Sequence, residues 1–407
     1  MRLSNPNSGV NNDRRSGAEL LAAASEQRDP NRSDIQYGHT EGVIDLTWGH
    51  PDPSTFAGEA VAAAAQAMIH EHGWQTLTYG APAGAAFVRD GIAAHLGTVD
   101  HAVSSDRIVV TSGSSGGLDL VLSLLARPGD VVFVEQPTYF LALRILADHG
   151  LIVVGLASDQ AGPDPEHLAE QAGRAKQQGV RTFLYLVPTF ANPTGMCLPS
   201  DRSSALLETA AATGTIVIED DVYRDTSPTA PPSMWSLDPD TVIRLGSFSK
   251  SLAPGLRVGY LTASVQTTRM ITNCGLLDSG GCVNHFSSML VGELIHSGAF
   301  AEIVQAGQAR YRTRRATLAG ALDRDLISLV EPSGGFFLWL GLPDGVTSDM
   351  AVEAGRIAGV LVSNGRSFYA GAPAGEYVRA SFSMLDEQLL SEGADRLNHA
   401  LRALMPD

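Results

Sequence analysis

Short apolar runs rich in β-branched residues alternate with longer helical patterns along the chain from about residue 105 onward. Runs of this kind are typical of parallel strands buried on both faces, with crossover helices between them. The predicted strands are Arg107–Thr111, Val131–Val134, Thr182–Val187, Thr215–Glu219, Val242–Leu245 and Val258–Thr262. The alternation therefore predicts the α/β class with a largely parallel sheet.

Helical periodicity dominates the C-terminal part of the chain. After about residue 285 the pattern predicts a long helix from Ser287 to about Leu322, interrupted near Ser297–Gly298. Glycine-rich strands follow, and then a final helix over Asp386–Leu404. This part is predicted as a second, smaller α+β domain.

Three regions are predicted along the chain. Residues 1 to about 35 are rich in Asn, Ser, Arg and Asp around the Ala/Leu stretch Ala18–Ala24, and residues 1–45 are predicted as a loose N-terminal arm suited to packing on a partner subunit. Residues 46–290 are predicted as the large domain and residues 291–407 as the small C-terminal domain.

The charge balance favours a small-molecule partner. Of the 407 residues, 44% are hydrophobic and 18% are charged, so the chain can bury a large core. The formal net charge is −16, and no basic stripe offsets it. Binding to nucleic acid or to an anionic membrane is therefore disfavoured.

The cysteine and histidine patterns offer no metal site. Cys197, Cys274 and Cys282 are odd in number and lack the close pairs of a zinc site, which favours a reducing compartment. His70 and His72 lie two apart in a predicted helix and so point to different faces. No run approaches the roughly 20 apolar residues of a membrane span, and the N-terminal segment lacks the core of a signal peptide. We therefore expect a cytoplasmic protein without a metal.

Only two lysines occur in the chain, and their surroundings differ. A lysine amine is a nucleophile only when unprotonated, and its reference pKa of about 10.4 makes that form rare at neutral pH. Lys176 lies among polar residues and is predicted to be a solvated surface side chain. Lys250 follows an apolar strand, near Ser247, Ser249 and Arg257, which could bind an anion together. Lys250 is the candidate for lysine chemistry, and an ordinary loop cation is the alternative.

A Ser/Gly loop predicts a phosphate site. The segment Thr111–Leu118 (TSGSSGGL) joins a strand to a helix. Gly113, Ser114 and Ser115 would present backbone amides and hydroxyls at the positive helix terminus. The glycine spacing does not follow the dinucleotide fingerprint, so the loop by itself is weak evidence.

Two more polar segments follow predicted strands. Asn192–Gly195 (NPTG) is a turn signal, although the asparagine amide can face a ligand. Asp220 and Tyr223 lie beyond the carboxyl end of a strand, where open α/β sheets bind their ligands.

The order of these segments resembles a known family. It comprises Tyr79-Gly80, the Ser/Gly loop, Pro137-Thr138-Tyr139, NPTG, DDVY ending at Tyr223, SFSK ending at Lys250 with Arg257, and Arg379 with Ser381-Phe382-Ser383. The chain resembles the class I/II aminotransferases of fold type I, which use pyridoxal 5′-phosphate, from about Ile44 to about Leu401. This resemblance implies a large cofactor-binding domain, with a mainly parallel mixed sheet between helices, and a smaller C-terminal domain.

The resemblance also implies roles for the motif residues, with Lys250, Asp220 and Tyr223 as the catalytic group. Lys250 would hold the cofactor as a Schiff base and, once displaced by the substrate amine, move the proton from the substrate α carbon to C4′ of the cofactor. Asp220 would keep the pyridine nitrogen protonated. The other implied cofactor contacts are Tyr223 and Asn192 at the phenolic oxygen, Tyr139 and Val222 on the ring faces, and Gly113, Ser114, Ser115, Ser247, Ser249 and Arg257 at the phosphate.

Substrate binding and assembly follow from the same resemblance. Arg379 matches the arginine that grips the substrate α-carboxylate by a two-pronged contact, with Asn192 and the backbone near Gly49 beside it. Tyr79 matches a tyrosine that reaches the phosphate of the neighbouring subunit, which implies a homodimer with shared sites.

The resemblance leaves the reaction open. The first hypothesis is exchange of an amino group between an amino acid and a 2-oxo acid. The second is a lyase, a decarboxylating deaminase or a cyclase in specialised metabolism, for example one that performs C–S β-elimination on a cysteine-derived substrate. A cofactor-binding sensor is disfavoured because the N-terminal segment leaves little room for a DNA-binding module.

Three positions depart from the common family pattern or stay unassigned. Ala191 stands where this branch of the family often carries Gln or His, and Trp48 precedes Gly49. The substrate pocket is therefore expected to be unusual. His285 is predicted to cap a helix or pack in the core, with pocket lining as the alternative.

Overall fold

The apolar runs in the middle of the chain form the central sheet. The computed structural model describes residues 40–280 and 283–405. The predicted arm up to residue 39, with its Ala18–Ala24 stretch, lies outside the described residues. The strands are β1 (Ile44–Asp45), β2 (Ile108–Thr111), β3 (Val131–Val134), β4 (Ile152–Gly155), β5 (Ser158–Asp159), β6 (Gly162–Pro163), β7 (Thr182–Leu186), β8 (Ile216–Asp220), β9 (Val242–Ser247), β10 (Gly259–Thr262), β11 (Phe337–Gly341), β12 (Val360–Leu361), β13 (Ser363–Asn364) and β14 (Tyr377–Ser381).

Helices cover this sheet and build the C-terminal part. They are α1 (Gly58–His72), α2 (Ala86–Val99), α3 (Gly113–Leu125), α4 (Phe140–Asp148), α5 (Pro165–Gln177), α6 (Ser200–Thr213), α7 (Met234–Leu237), α8 (Val265–Thr272), α9 (Gly275–Asp278), α10 (His285–His296), α11 (Ala299–Ala321), α12 (Ser348–Ile357) and α13 (Glu387–Arg402). In the described ranges, no helix has the length and apolarity needed to cross a bilayer.

The main sheet has the order β2-β10-β9-β8-β7-β3-β4 within the described ranges. Strands β4, β3, β7, β8 and β9 pair in parallel, and β10 pairs antiparallel with both β9 and β2. The sheet is therefore mixed but mainly parallel, which confirms the predicted α/β class. Apolar clusters pack on both faces, as the continuous apolar strands require.

Each of the six predicted strands is present, with ends shifted by no more than two residues. The edge strand β4 was not predicted. The apolar run Leu151–Val154 signals this strand, although its residues are half-buried or exposed because β4 pairs on one side only. The predicted domain boundaries at residues 45 and 290 stay predictions.

The C-terminal part contains a smaller antiparallel sheet in the order β11-β14-β13. The predicted long helix is divided into α10 and α11 at Ser297–Gly298, where Gly298 has a φ of 83°. This left-handed conformation ends the first helix and redirects the second. Helix α12 packs on β13 and β14 of this sheet, and α13 packs against both α11 and α12.

One edge of the main sheet collects the predicted site residues. The parallel strands β2, β3, β7, β8 and β9 all end at this edge. Strand β10 runs in the opposite direction, so Arg257, which precedes it, also lies there. Ligands of open α/β sheets bind beyond the carboxyl ends of the strands.

Candidate active site

Lys250 follows β9 and is held in a polar contact inside the protein. Its Nζ donates to the Gly49 carbonyl oxygen over 2.7 Å and lies 5.9 Å from the centre of the Tyr223 ring. Burial, aided by the positive charges of Arg379 and Arg257, lowers the pKa of Lys250 to about 8, while Asp220 opposes this shift. A substantial fraction of the amine is therefore neutral near physiological pH, as nucleophilic or basic chemistry requires. Lys176 is exposed, as predicted.

Asp220 ends β8 and is buried. Its Oδ2 accepts a hydrogen bond from the Tyr185 hydroxyl over 2.7 Å, while Oδ1 is buried without a partner in the described part of the chain. Burial raises the pKa of Asp220 to about 6, Asp221 adds to the shift, and Tyr185 and Lys250 oppose it. A buried oxygen of this kind needs a donor, and a protonated pyridine nitrogen fits the requirement.

The Ser/Gly loop and Arg257 form one anion seat. Gly113 begins α3 with a φ of 79°, and a Cβ there would come within 2.5 Å of Arg257 Nη2. Arg257 is itself left-handed, with a φ of 52°, and donates to the Ser249 hydroxyl over 3.3 Å. Ser114 and Ser115 occupy the first turn of α3, and the Ser247 hydroxyl accepts from the Ser249 amide over 3.1 Å. A helix N-terminus, a guanidinium and hydroxyl groups together fit a phosphate.

The residues predicted to contact the cofactor ring lie beside Asp220. Burial raises the pKa of Tyr139 to about 12, with a smaller contribution from the Asp220 charge. Burial also moves the pKa of Tyr223 well above its usual range, while a hydrogen bond with Asn192 opposes that shift. Both phenols are therefore neutral donors at physiological pH. Val222 is half-buried at the edge of the same core.

Arg379 projects from β14 into the site. Its guanidinium donates to Asn192 Oδ1 over 2.8 Å and to the Thr47 carbonyl over 2.6 Å. It lies 4.0 Å above the Phe337 ring and 4.9 Å above the Phe368 ring. Burial lowers the pKa of Arg379 to about 10, so the group is still a cation at neutral pH. The structure thus joins Arg379 and Asn192, which are far apart in sequence.

Position 49 requires glycine because its backbone passes close to the Phe337 side chain on β11. A Cβ on Gly49 would lie 2.4 Å from Phe337 Cζ, so a side chain at this position would displace the aromatic ring under Arg379. The Gly49 carbonyl also holds the Lys250 amine. Gly49 therefore contacts Lys250 through its carbonyl and approaches the aromatic ring that packs under Arg379.

Tyr79 is separate from the other predicted residues. Its side chain is 82% exposed, and within the described part of the chain its hydroxyl makes no hydrogen bond. Trp74 and Leu77 in the same segment are 74% and 75% exposed. The described chain by itself does not bring Tyr79 to the anion seat.

His285 begins α10, next to the cap Asn284, and its Nε2 lies 3.0 Å from the Gln75 carbonyl oxygen. It joins the helix start to the exposed segment that precedes Tyr79. This position supports a structural role for His285.

One potential metal-ligating group occurs in the described ranges. Glu71, His72 and Glu293 place their ligand atoms within 4.8 Å of one another, between α1 and α10. His70 is not a member, in agreement with its position on another helix face. The group shares no residue with the site around Lys250.

Sequence reasoning missed three site residues. Burial and the Lys250 charge lower the pKa of His50 to about 4, so its ring is neutral. Glu135 directly follows β3 and accepts from the Val187 amide over 2.7 Å, and Tyr185 holds Asp220. Two signals were available: a carboxylate beyond a strand end, and a tyrosine in an apolar strand whose hydroxyl needs a partner.

Comparison with known proteins connects this geometry to a family. The family model "Aminotransferase class I and II" matches residues 41–397. Aromatic-amino-acid aminotransferase 1 of Thermococcus litoralis is 30% identical over 375 residues, which cover 90% of this chain and 89% of the relative. The 2-aminoadipate transaminase of Thermus thermophilus is 31% identical over 376 residues, which cover 89% of this chain and 91% of the relative.

A solved structure agrees with these relatives. The crystal structure of Pyrococcus horikoshii kynurenine aminotransferase in complex with PMP has a TM-score of 0.84 and 29% identity, and the match covers 95% of this chain and 100% of that chain. The names favour amino transfer over elimination, decarboxylation or sensing. The chain belongs to the class I and II aminotransferases: it is a pyridoxal 5′-phosphate-dependent enzyme of fold type I that moves an amino group between an amino acid and a 2-oxo acid.

Proposed function

We propose that the amino donor is an aromatic amino acid. The observation that carries this proposal is an uncharged aromatic pair that flanks Gly49, whose carbonyl accepts from Lys250: the rings of Trp48 and His50 lie 5.3 Å apart, and His50 is neutral. Uncharged aromatic rings favour contact with an aromatic or apolar substrate side chain and disfavour a charged one. The names of the Thermococcus and Pyrococcus relatives support the same class.

Lys250 is proposed as the covalent attachment point and the proton carrier. When bound, pyridoxal 5′-phosphate supplies an aldehyde that condenses with amines and a ring that accepts the electron pair left at the substrate α carbon. With a pKa of about 8, roughly a quarter of the Lys250 amine is neutral at pH 7.5. This neutral Nζ takes the proton from the substrate α carbon.

Asp220, Tyr223 and Asn192 are proposed to fix the cofactor ring. The free Oδ1 of Asp220 would accept a hydrogen bond from the pyridinium nitrogen. The Tyr223 hydroxyl and the Asn192 amide would donate to the phenolic oxygen, and Tyr139 and Val222 would contact the two ring faces. Because Asp220 is buried, its charge acts strongly on the nitrogen.

The anion seat is proposed to hold the phosphate through Gly113, Ser114, Ser115, Ser247, Ser249 and Arg257. The backbone amides at the start of α3 and the Arg257 guanidinium supply positive potential, and the serines supply donors. These contacts set the distance of the ring from Lys250, which follows directly after Ser249.

Arg379 is proposed to bind the α-carboxylate of both substrates. Its Nε is buried without a hydrogen-bond partner in the described part of the chain. Nη1 donates to Asn192 and keeps a second hydrogen, whereas Nη2 donates to both the Thr47 carbonyl and the Ser363 hydroxyl. The guanidinium can therefore donate to a carboxylate while keeping its bonds to Asn192 and the Thr47 carbonyl. The packing on Phe337 and Phe368 fixes the plane of this fork.

A homodimer is proposed to complete the site. Ile69, Trp74, Leu77 and Tyr79 expose large apolar side chains in and just after α1, although side chains of this size are typically buried. A second copy covering this surface would bury them and bring Tyr79 to the phosphate of its neighbour. Sedimentation of the native enzyme tests this point, and Tyr79→Phe should weaken phosphate binding without altering the dimer.

A cytoplasmic location is proposed on the free thiols. Cys197 and Cys274 are both unpaired in the described part of the chain, as a reducing compartment favours. Cell fractionation of the native source tests the location, and recovery outside the cytoplasmic fraction would contradict it.

The reaction is tested by mixing purified enzyme with amino acids and 2-oxo acids while the cofactor spectrum is followed. Aromatic donors should convert the cofactor to its aminated form, and a 2-oxo acid should restore the starting spectrum. Release of ammonia or carbon dioxide without a 2-oxo acid would contradict amino transfer. Turnover of acidic or small amino acids in preference to aromatic ones would contradict the proposed donor class.

The attachment point is tested with the only two lysines. Lys250→Ala should abolish the absorption band of the attached cofactor, whereas Lys176→Ala, a matched change at an exposed position, should leave it intact. Retention of the band in Lys250→Ala would overturn the assignment.

A further inference from the structure

Tyr185 is the hydrogen-bond donor to Asp220. It lies in β7, fully buried, and its hydroxyl donates to Asp220 Oδ2 over 2.7 Å. In the described ranges no other side chain donates to this carboxylate, and Oδ1 has no partner. One oxygen of Asp220 is therefore held, and the other is free to meet a ligand.

The other ionisable groups near Asp220 do not donate a hydrogen bond to its carboxylate. They are Glu135 and Tyr139 after β3, Asp221 and Tyr223 after β8, and Lys250 after β9. Asp221 forms ion pairs with Arg224 at 2.6 Å and Arg244 at 2.7 Å, so its charge is compensated. Burial raises the pKa of Glu135 to about 8, so that carboxyl keeps its proton at neutral pH. The Lys250 amine donates its hydrogen bond to the Gly49 carbonyl, and its positive charge lowers the pKa of Asp220.

We propose that Tyr185 is a positioning residue for the cofactor: its hydroxyl holds Asp220 ionised, with Oδ1 directed toward the pyridine nitrogen. The inference rests on the proposed role of Asp220 and extends it to a residue outside the family motifs. A charged carboxylate buried with one donor depends strongly on that donor, because the neighbouring groups named above donate no hydrogen bond to it.

Tyr185→Phe removes the donor and keeps the ring, so a pH-dependent loss of affinity is expected. A hydrogen bond to a charged group shifts an ionisation equilibrium by roughly tenfold to a hundredfold. Because the bond lowers the pKa of Asp220, its loss moves the pKa upward from about 6. The ionised fraction at pH 6.5 then falls by about three- to twentyfold, but at pH 9 it falls by less than about twofold.

The full-length protein, freed of cofactor, is titrated with pyridoxamine 5′-phosphate, because this form binds without a covalent bond to Lys250. The dissociation constant is measured by fluorescence at pH 6.5 and pH 9 for native enzyme and variant. Titration of the ligand, of Lys250 and of Glu135 affects both proteins alike. At each pH, the ratio of the variant's dissociation constant to that of the native enzyme therefore isolates the effect of Asp220.

Tyr260→Phe is the matched control. Tyr260 is a buried tyrosine on β10 of the same sheet, but it packs in the core on the opposite face from Tyr185. For Tyr260→Phe, the ratio of its dissociation constant to that of the native enzyme should be the same at pH 6.5 and pH 9. Thermal unfolding of both variants checks that each retains the fold.

The outcomes separate this inference from the proposed function. A loss in Tyr185→Phe that is larger at pH 6.5 than at pH 9 supports it. An equal loss at both pH values, or no loss, overturns it, because packing alone does not depend on the Asp220 charge. Native enzyme that binds the ligand but fails to transfer amino groups would contradict the proposed function and leave the Tyr185 comparison intact. Native protein that does not bind the ligand overturns both.

Discussion

Replacing Gly113 with alanine is expected to weaken cofactor binding in addition to destabilising the fold. Gly113 has a φ of 79°, and an added Cβ would lie 2.5 Å from Arg257 Nη2. Forcing a non-glycine residue into this left-handed conformation costs about 1–2 kcal/mol of folding free energy. The guanidinium must also move away from the start of α3, which weakens its charge-assisted bond to the phosphate by about 1.5–3 kcal/mol. The dissociation constant for pyridoxal 5′-phosphate should therefore rise by about tenfold to a hundredfold.

The assay combines cofactor titration with thermal unfolding of the cofactor-free protein. Gly255→Ala is the matched control, because Gly255 lies in the turn before Arg257, has no left-handed φ, and has open space around its Cβ position. Its cofactor affinity should match that of the native enzyme. Unchanged affinity in Gly113→Ala would refute the assignment of this seat to the phosphate, whatever the change in stability.

Three further predictions concern charges in the site. Arg379→Lys should raise KM for amino acid and 2-oxo acid by about tenfold or more, with the absorption spectrum of the cofactor preserved, because a single ammonium cannot replace the planar fork; similar KM values would contradict the carboxylate role. Lys250→Met in the cofactor-free protein should unfold at higher denaturant than native protein at pH 7. The pKa of Lys250 is about 8 in the folded protein and 10.5 in the unfolded chain, so the free energy of unfolding of the native protein rises as the pH passes between these values. The difference in free energy of unfolding between Lys250→Met and native protein should therefore narrow by about 2 kcal/mol from pH 7 to pH 10. A constant difference would contradict a buried amine. The pKa of Glu135 is about 8 in the folded protein and 4.5 in the unfolded chain, so the native protein loses free energy of unfolding as the pH rises from 5 to 8. Glu135→Gln should remove part of this loss, because glutamine has no proton to release. Identical pH profiles of the two proteins in chemical denaturation would refute this.

The strand order along the chain was sufficient to predict where several site residues meet. Lys250, Asp220 and the NPTG turn each follow an apolar strand, and parallel strands bring their carboxyl ends to one edge. Gly113 and its serines could be interpreted in the same way, since a glycine-rich loop before a helix predicts an anion site. These features depend on local pattern and on the rules of strand connection, which a single sequence carries.

The ends and edges of elements were less predictable. The edge strand β4 carries the apolar run Leu151–Val154, yet its residues are half-buried or exposed, so its sequence alone does not show that it lies at an edge of the sheet. The break between α10 and α11 was visible because Ser297–Gly298 interrupts the periodicity, and the left-handed Gly298 explains it.

The sequence by itself determined the class of fold, the order of the motifs and the family they resemble, and it favoured Lys250 over Lys176 as the reactive lysine. Only the tertiary structure decided that Tyr185 holds Asp220, that Glu135 lies behind the site, and that the Gly49 carbonyl holds Lys250. Those contacts join residues distant in sequence through the register of strands and the direction of side chains. The altered pKa values of Lys250 and Asp220 arise from burial among these neighbours, and burial is a property of the folded chain.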